Sequence, residues 1–173
     1  MTGSVHTRGP SWLWVTSLLA CALVSGCRDG DEAASAVQTG PVDPFRDIGD
    51  AKLMVEVQEA HAMAGQQGKR VLLDFVASWC EDCREVIRVS ALAPAADVIR
   101  ERYVHVPVNV GRWDRATALR ERFRIDRIAT LVVLEPDGTR VAQTTLEPIT
   151  NHQPLTAGAL AAWLREPRDG PAH

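Results

Sequence analysis

The sequence is marked first by what it does not contain. It has no apolar run long enough to cross a bilayer, no excess of basic charge, no internal repeat and only four cysteines in 173 residues. A spanning helix needs about 20 apolar residues, and the longest run here, Trp12 to Val24, has 13. A net charge of −3 argues against nucleic acid as a partner, because phosphate binding needs a basic surface. The arginines alternate with acids, as in Arg84-Glu85, Arg100-Glu101 and Arg120-Glu121, which suits solvated helix faces. Hydrophobic residues at 46% and charged residues at 24% are the composition of a folded globular chain. No cofactor is expected.

The 13-residue run suits the apolar region of a signal peptide. It ends in Leu23-Val24-Ser25-Gly26-Cys27, where small residues fit a peptidase groove. This segment resembles the lipobox of bacterial lipoproteins. The resemblance implies a signal over residues 1–26, lipidation at Cys27 and a mature chain that starts there. Three acyl chains exceed the two signals needed for stable anchoring. Arg28, rather than an aspartate, follows the cysteine, which favours the outer over the inner membrane. An ordinary cleaved signal or an uncleaved anchor is the competing reading. Residues 27–44 hold almost no large apolar side chain and read as a flexible tether.

If Cys21 leaves with the signal and Cys27 is lipidated, only Cys80 and Cys83 remain, and one internal disulfide can form. The folded part is expected over residues 45–166, with a loose tail at 167–173. Asp50 is expected to cap a helix to about Ala64, stopped by Gly65 and Gly68. Residues 71–76 read as a strand buried on both faces. A helix from about Cys80 is ended near Pro94, and a second runs from Ala95 to Arg102. Residues 103–109 form a strand, and residues 114–123 a short helix with Asp114 near its cap. A hairpin turns at Pro136-Asp137-Gly138 between strands 130–134 and 139–145. Thr156 caps a last helix to about Arg165. A βαβ crossover followed by a hairpin gives an α/β fold, a mixed sheet with helices on both faces.

Trp79-Cys80-Glu81-Asp82-Cys83 lies between the buried strand and a helix. Cysteines three apart on a helix share a face and can bond. The helix N-terminus favours a thiolate, which makes Cys80 the attacking sulfur and Cys83 the more buried, resolving one. A static structural disulfide is the alternative, although so short a loop stabilises little. Asp74, an acid within an apolar run, needs either a task or a basic partner. Trp79 reads as a lid beside the sulfur or as core.

Residues 71–83, an apolar strand, then Asp-Phe, then Trp-Cys-x-x-Cys, resemble the thioredoxin signature, and the likeness extends over about Phe45 to Arg165. It implies a thioredoxin-like fold with a C-terminal β-hairpin, and thiol–disulfide exchange at Cys80 and Cys83. It makes Asp74 the buried carboxylate that moves the proton of the resolving cysteine, and Trp79, Ile128 and Ala129 contacts to substrate. The partners implied are disulfide-bearing exported proteins and a membrane electron donor, with the protein facing the periplasm of the cell envelope.

Three positions depart from that family. Glu81-Asp82 replaces Gly-Pro between the cysteines; two carboxylates oppose a thiolate, which points to a reductase rather than an oxidant. Pro107 stands where the family keeps a lysine near the buried acid. Ala129 replaces the family's cis-proline. Because a non-proline cis bond costs about 2.5–4 kcal/mol, a trans bond between Ile128 and Ala129 is expected, with a displaced loop, and the missing proline ring leaves room beside the sulfurs for a metal ion. A copper or zinc carrier without turnover is therefore the second function. His61, His105 and His152 follow no ligand spacing, however, and each reads as an isolated surface or core histidine.

Overall fold

The computed structural model describes residues 43–170. The segments expected to be a signal and most of a tether, with Cys27 between them, lie outside the described residues. No helix of the described residues is long and apolar enough to cross a membrane. Ten elements follow in order: α1 (Asp50–Gln67), β1 (Arg70–Val76), α2 (Glu81–Ser90), α3 (Ala95–Arg102), β2 (Tyr103–Asn109), α4 (Thr117–Phe123), β3 (Thr130–Leu134), β4 (Arg140–Thr145), α5 (Glu147–Thr150) and α6 (Ala157–Arg165).

The four strands form one sheet in the order β2-β1-β3-β4. β1 and β2 run parallel, joined across α2 and α3, while β1–β3 and β3–β4 are antiparallel. β1 is central, and six of its seven residues are buried. That explains its near-continuous apolar sequence, since a strand covered on both faces needs no polar side. β3 is buried throughout for the same reason.

Alternation along the strands sorts the helices between the two faces. Tyr103 donates its hydroxyl to the Leu164 carbonyl at 2.5 Å, so the face of Tyr103, His105 and Pro107 is the face of α6. α2 and α3 pack with α6 on that side. Burial pushes the Tyr103 hydroxyl pKa up. The opposite face carries Phe75, whose ring meets Phe123 of α4 edge-on at 6.4 Å. α1 lies with α4, tied to it through Asp50. Pairing of Leu72 with His105 and of Asp74 with Pro107 puts Asp74 on the α2, α3 and α6 face.

Several local expectations need correction. Gly49, not Asp50, is the N-cap of α1. The Asp50 carboxylate accepts instead from the N–H groups of Ala116 and Thr117, at 2.8 and 3.2 Å, and so serves α4. Asp114 does not cap α4 either. Its carboxylate accepts from the Arg112 N–H at 2.9 Å, and α4 starts at Thr117. A helix start leaves N–H groups in need of acceptors, and a carboxylate from another element meets the need as well as a local one. α5 was not expected; it is a single turn between β4 and α6. The tail is not free along its length. Gly170 N–H donates to the Gln143 carbonyl, Asp169 accepts from the Gln143 N–H, and the Trp163 indole donates to the Arg168 carbonyl. The two bonds to Gln143 occupy the outer edge of β4, whose backbone groups would otherwise need solvent. Residues 171–173 lie outside the described residues.

Other expectations agree with the structure. Gly68 ends α1 in the left-handed region at φ 63°, where a side chain is disfavoured, whereas Gly65, expected to stop it with Gly68, lies inside the helix, which runs to Gln67. Thr156 caps α6 by accepting from the Ala159 N–H at 3.1 Å. The hairpin turns at Gly138, φ 85°.

Candidate active site

β1 and β2 both run toward one end of the sheet, and β3 starts there, with Thr130 opposite Phe75. Three loops therefore meet beyond that end: 77–80, 110–116 and 127–129. Crevices at the carboxyl ends of parallel strands are where α/β sheets bind ligands.

Cys80 and Cys83 form a disulfide with Cα atoms 5.2 Å apart. Cys80 is the N-cap of α2, and its sulfur accepts from the Cys83 N–H at 3.1 Å. A helix N-terminus and a backbone donor both favour negative charge on that sulfur when the pair is reduced. Cys80 retains 8% exposure and Cys83 none. Of the pair, Cys80 is thus the residue that keeps some surface and Cys83 the one that keeps none.

Trp79 is 49% exposed, so it is not core. Its indole N–H donates to the Gly111 carbonyl at 2.7 Å, which ties the loop before the cysteines to the loop after β2. That second loop is built tightly. Asn109 accepts from the Gly111 N–H through its side-chain oxygen and donates its amide to the Phe45 carbonyl. Gly111 has φ 59°, where a side chain is strained, and a Cβ there would have to displace the Asp114 carboxylate. Arg120 donates to the Trp113 carbonyl and lies over the Trp113 ring, its guanidinium carbon 5.6 Å from the ring centre.

Glu81 and Asp82 are exposed in the first turn of α2. Arg84, the cation that could offset them, donates to the Ser78 carbonyl at 2.8 Å.

The bond between Ile128 and Ala129 is cis, contrary to the trans bond expected from an alanine. The cost of a non-proline cis bond sets a preference, while the fold around a loop decides which form is present. Here the Thr130 hydroxyl donates to the Arg127 carbonyl, closing the loop just before β3 begins. Ala129 is buried and Ile128 partly so. The trans bond expected there, and the displaced loop argued from it, are corrected by this geometry. Among the described residues, no group of three or more His, Cys, Asp and Glu side chains could hold a metal ion.

Asp74 is wholly buried, and neither carboxylate oxygen has a hydrogen-bond partner among the described residues. Burial pushes its pKa up, and the neighbouring His105 pulls it part of the way back. The His105 Nε2 atom is 3.7 Å from Asp74 Oδ2, too long for a hydrogen bond. This neighbour was missed in the sequence, where His105 reads as an isolated histidine. The signal was present: on a strand beside β1, two residues before Pro107 and therefore on its face, His105 lies diagonal to Asp74. Its use needs the register, which sequence alone does not supply.

Comparison with known proteins agrees with this geometry. A family model described as a thioredoxin-like domain matches residues 57–147. The chain is similar to an H-type thioredoxin of Fagopyrum esculentum, 26% identical over 109 residues, covering 59% of this chain and 88% of the relative. In structure it is similar to a disulphide isomerase from Xylella fastidiosa Temecula1, with TM-score 0.62 and 24% identity, covering 70% of this chain and 95% of the other. It is also similar to the C-terminal domain of DsbD from Neisseria meningitidis in its oxidised form, with TM-score 0.53 and 21% identity, covering 72% of this chain and 98% of the other. At these identities the two structures show the shared fold.

Proposed function

Because the chain belongs to the thioredoxin-like domain family, we propose that it is a thiol–disulfide oxidoreductase acting through Cys80 and Cys83, and that it works as a disulfide reductase in the cell envelope. One observation carries this reading. The two cysteines differ in exposure, with Cys80 8% exposed at the cap of α2 and Cys83 wholly buried within it. A bond made only for stability gains nothing from that asymmetry, whereas exchange requires it. An attacking thiolate must meet the substrate disulfide, and a resolving thiol must wait until the mixed disulfide has formed.

In the reductive direction the Cys80 thiolate attacks a substrate sulfur. A bond forms between Cys80 and that sulfur, the substrate disulfide breaks, and one substrate thiolate leaves. Cys83 then attacks Cys80, the internal disulfide forms, and the second substrate thiolate leaves. The cysteine pair loses two electrons and the substrate disulfide gains them. Asp74, on the sheet face that α2 covers, takes the Cys83 proton. Trp79, Ile128 and Ala129, at the same end of the sheet, contact the substrate chain.

Glu81 and Asp82 support the reductive direction, since two exposed carboxylates beside Cys80 oppose a second negative charge there. The amino-terminal segment supports the location: a 13-residue apolar run ending in Ser25-Gly26-Cys27. On this reading residues 1–26 are removed, and lipid at Cys27 holds residues 45–166 on a short tether facing the periplasm, at the outer rather than the inner membrane. The periplasm is kept oxidising, so a membrane electron donor must reduce the pair, and disulfide-bearing exported proteins are its substrates. Equilibration with glutathione redox buffers tests the direction. A potential at or below about −230 mV agrees with a reductase, and one near the −120 mV of a strong periplasmic oxidant overturns it.

A further inference from the structure

We propose that His105 is a positioning residue which, acting through Asp74, connects the proton of the resolving thiol to solvent. This rests on the exchange reading above and adds a residue to it. Asp74 has no exposed surface and cannot trade protons with water directly. His105 sits beside it on the same sheet face, Nε2 to Oδ2 3.7 Å, and keeps 22% of its side chain exposed. The imidazole thus touches both environments. Asp74 Oδ1 and Oδ2 and His105 Nε2 are all buried without hydrogen-bond partners among the described residues. None of these atoms is committed to another partner, and a shift of about 0.5 Å brings the pair within the hydrogen-bond range that proton transfer requires. Imidazole is the side chain suited to relay near neutral pH, because its two nitrogens can gain and lose protons in turn.

Pro107 lies directly opposite Asp74 in the register and has no donor to offer. His105 supplies a base from two residues earlier on the same strand. The other ionisable groups of this face and its covering helices have contacts elsewhere or are exposed, as Glu81 and Asp82 of α2 are, while Arg84 of α2 donates to the Ser78 carbonyl. On β1, Arg70 bonds to Glu135. On β2, Tyr103 bonds to the Leu164 carbonyl. On α2, Arg88 pairs with Glu85. On α3, Arg100 pairs with Asp97 and Arg102 donates to the Arg165 carbonyl. Glu101 of α3 and Arg165 of α6 are exposed. β3 presents Leu131 and Val133 to this face, and β4 presents Ala142 and Thr144.

The Cys83 thiol gives its proton to Asp74, and its sulfur attacks the Cys80 sulfur of the mixed disulfide. The Cys80–Cys83 bond forms, the bond from Cys80 to the substrate breaks, and the substrate sulfur leaves as a thiolate with the electron pair. Neutral Asp74 passes its proton to His105 Nε2. The imidazolium releases a proton from Nδ1 to water, where the substrate thiolate takes one up.

The experiment mixes the reduced protein with an aromatic disulfide that releases a coloured thiolate in two phases, attack by Cys80 and then resolution by Cys83, from pH 5.5 to 8.5. His105→Gln should leave the first phase unchanged and slow the second by about tenfold or more. Added imidazole should restore the second phase in His105→Ala. A second phase in His105→Gln that follows the wild-type pH profile overturns the proposal. Titration of the Asp74 carboxyl by carbon NMR needs no turnover. It should move upward in His105→Gln, and an unmoved titration also overturns the proposal. If the wild-type protein shows neither phase, the exchange reading itself falls, and the Asp74 titration alone then decides whether His105 is coupled to the carboxylate.

Discussion

The indole N–H of Trp79 donates to the carbonyl of Gly111 at 2.7 Å. This bond joins the residue before the first cysteine to the loop that follows β2, and it holds an exposed aromatic ring at the rim of the site. Trp79→Phe keeps a ring and loses the donor. The freed carbonyl is exposed and can bond to water, so stability should change by no more than about 0.5–1 kcal/mol. Substrate reduction should nevertheless slow several-fold, because the ring is no longer fixed. Urea unfolding and turnover on one preparation check both. Unchanged turnover would remove Trp79 from the site.

Cys80 should be the first thiol modified in the reduced protein. It has 8% exposure where Cys83 has none, and it stands at the helix cap. Brief alkylation at neutral pH followed by peptide mapping should find the label on Cys80. Cys83→Ser should trap a stable mixed disulfide with substrate, and Cys80→Ser should trap none. Label mainly on Cys83 would reverse the assigned roles.

Asp74 should make the oxidised protein less stable as pH rises. Its pKa is raised by burial above that of the unfolded chain. The group's favourable contribution is therefore complete below the unfolded value and is lost as pH climbs through the folded one. Asp74→Asn cannot ionise. Its stability relative to wild type should increase from pH 5 to pH 8.5, by on the order of 1 kcal/mol. Urea midpoints at the two pH values measure this. A difference that stays constant or shrinks with pH would contradict a raised pKa.

Asp50 should matter to α4 more than to α1, in which it lies. Its carboxylate takes the N–H groups of Ala116 and Thr117. Asp50→Ala should cost about 1 kcal/mol, and amide exchange should quicken mainly over residues 116–123. Quickening confined to the first turn of α1 would favour a local cap instead.

The fold was legible because its signals are local and strong. Leu72 and Leu73 sit in an apolar run that only a doubly covered strand needs, Gly68 and Pro94 bound their helices, and Gly138 marks the hairpin. The cysteine pair was legible from its spacing after that strand. What failed was either contact between distant segments or a choice made by the surroundings. Asp50 lies 66 residues from Ala116, and nothing in the local sequence around either predicts their bond. His105 acquires meaning only when β2 is placed beside β1. The Ile128–Ala129 bond is set by its loop rather than by the preference of alanine. Asp169 and Gly170 read as tail because their partner, Gln143, is an edge residue whose open side the sequence does not reveal.

Multiple-turnover reduction of a scrambled-disulfide protein, with the cysteine pair recycled by a dithiol, tests most directly whether Cys80 and Cys83 are a working redox pair. The wild-type chain should accelerate the reaction well beyond the dithiol alone, and Cys80→Ser should abolish the acceleration. A wild-type rate equal to that of the dithiol alone, with the Cys80–Cys83 bond intact throughout, would show that the disulfide is structural.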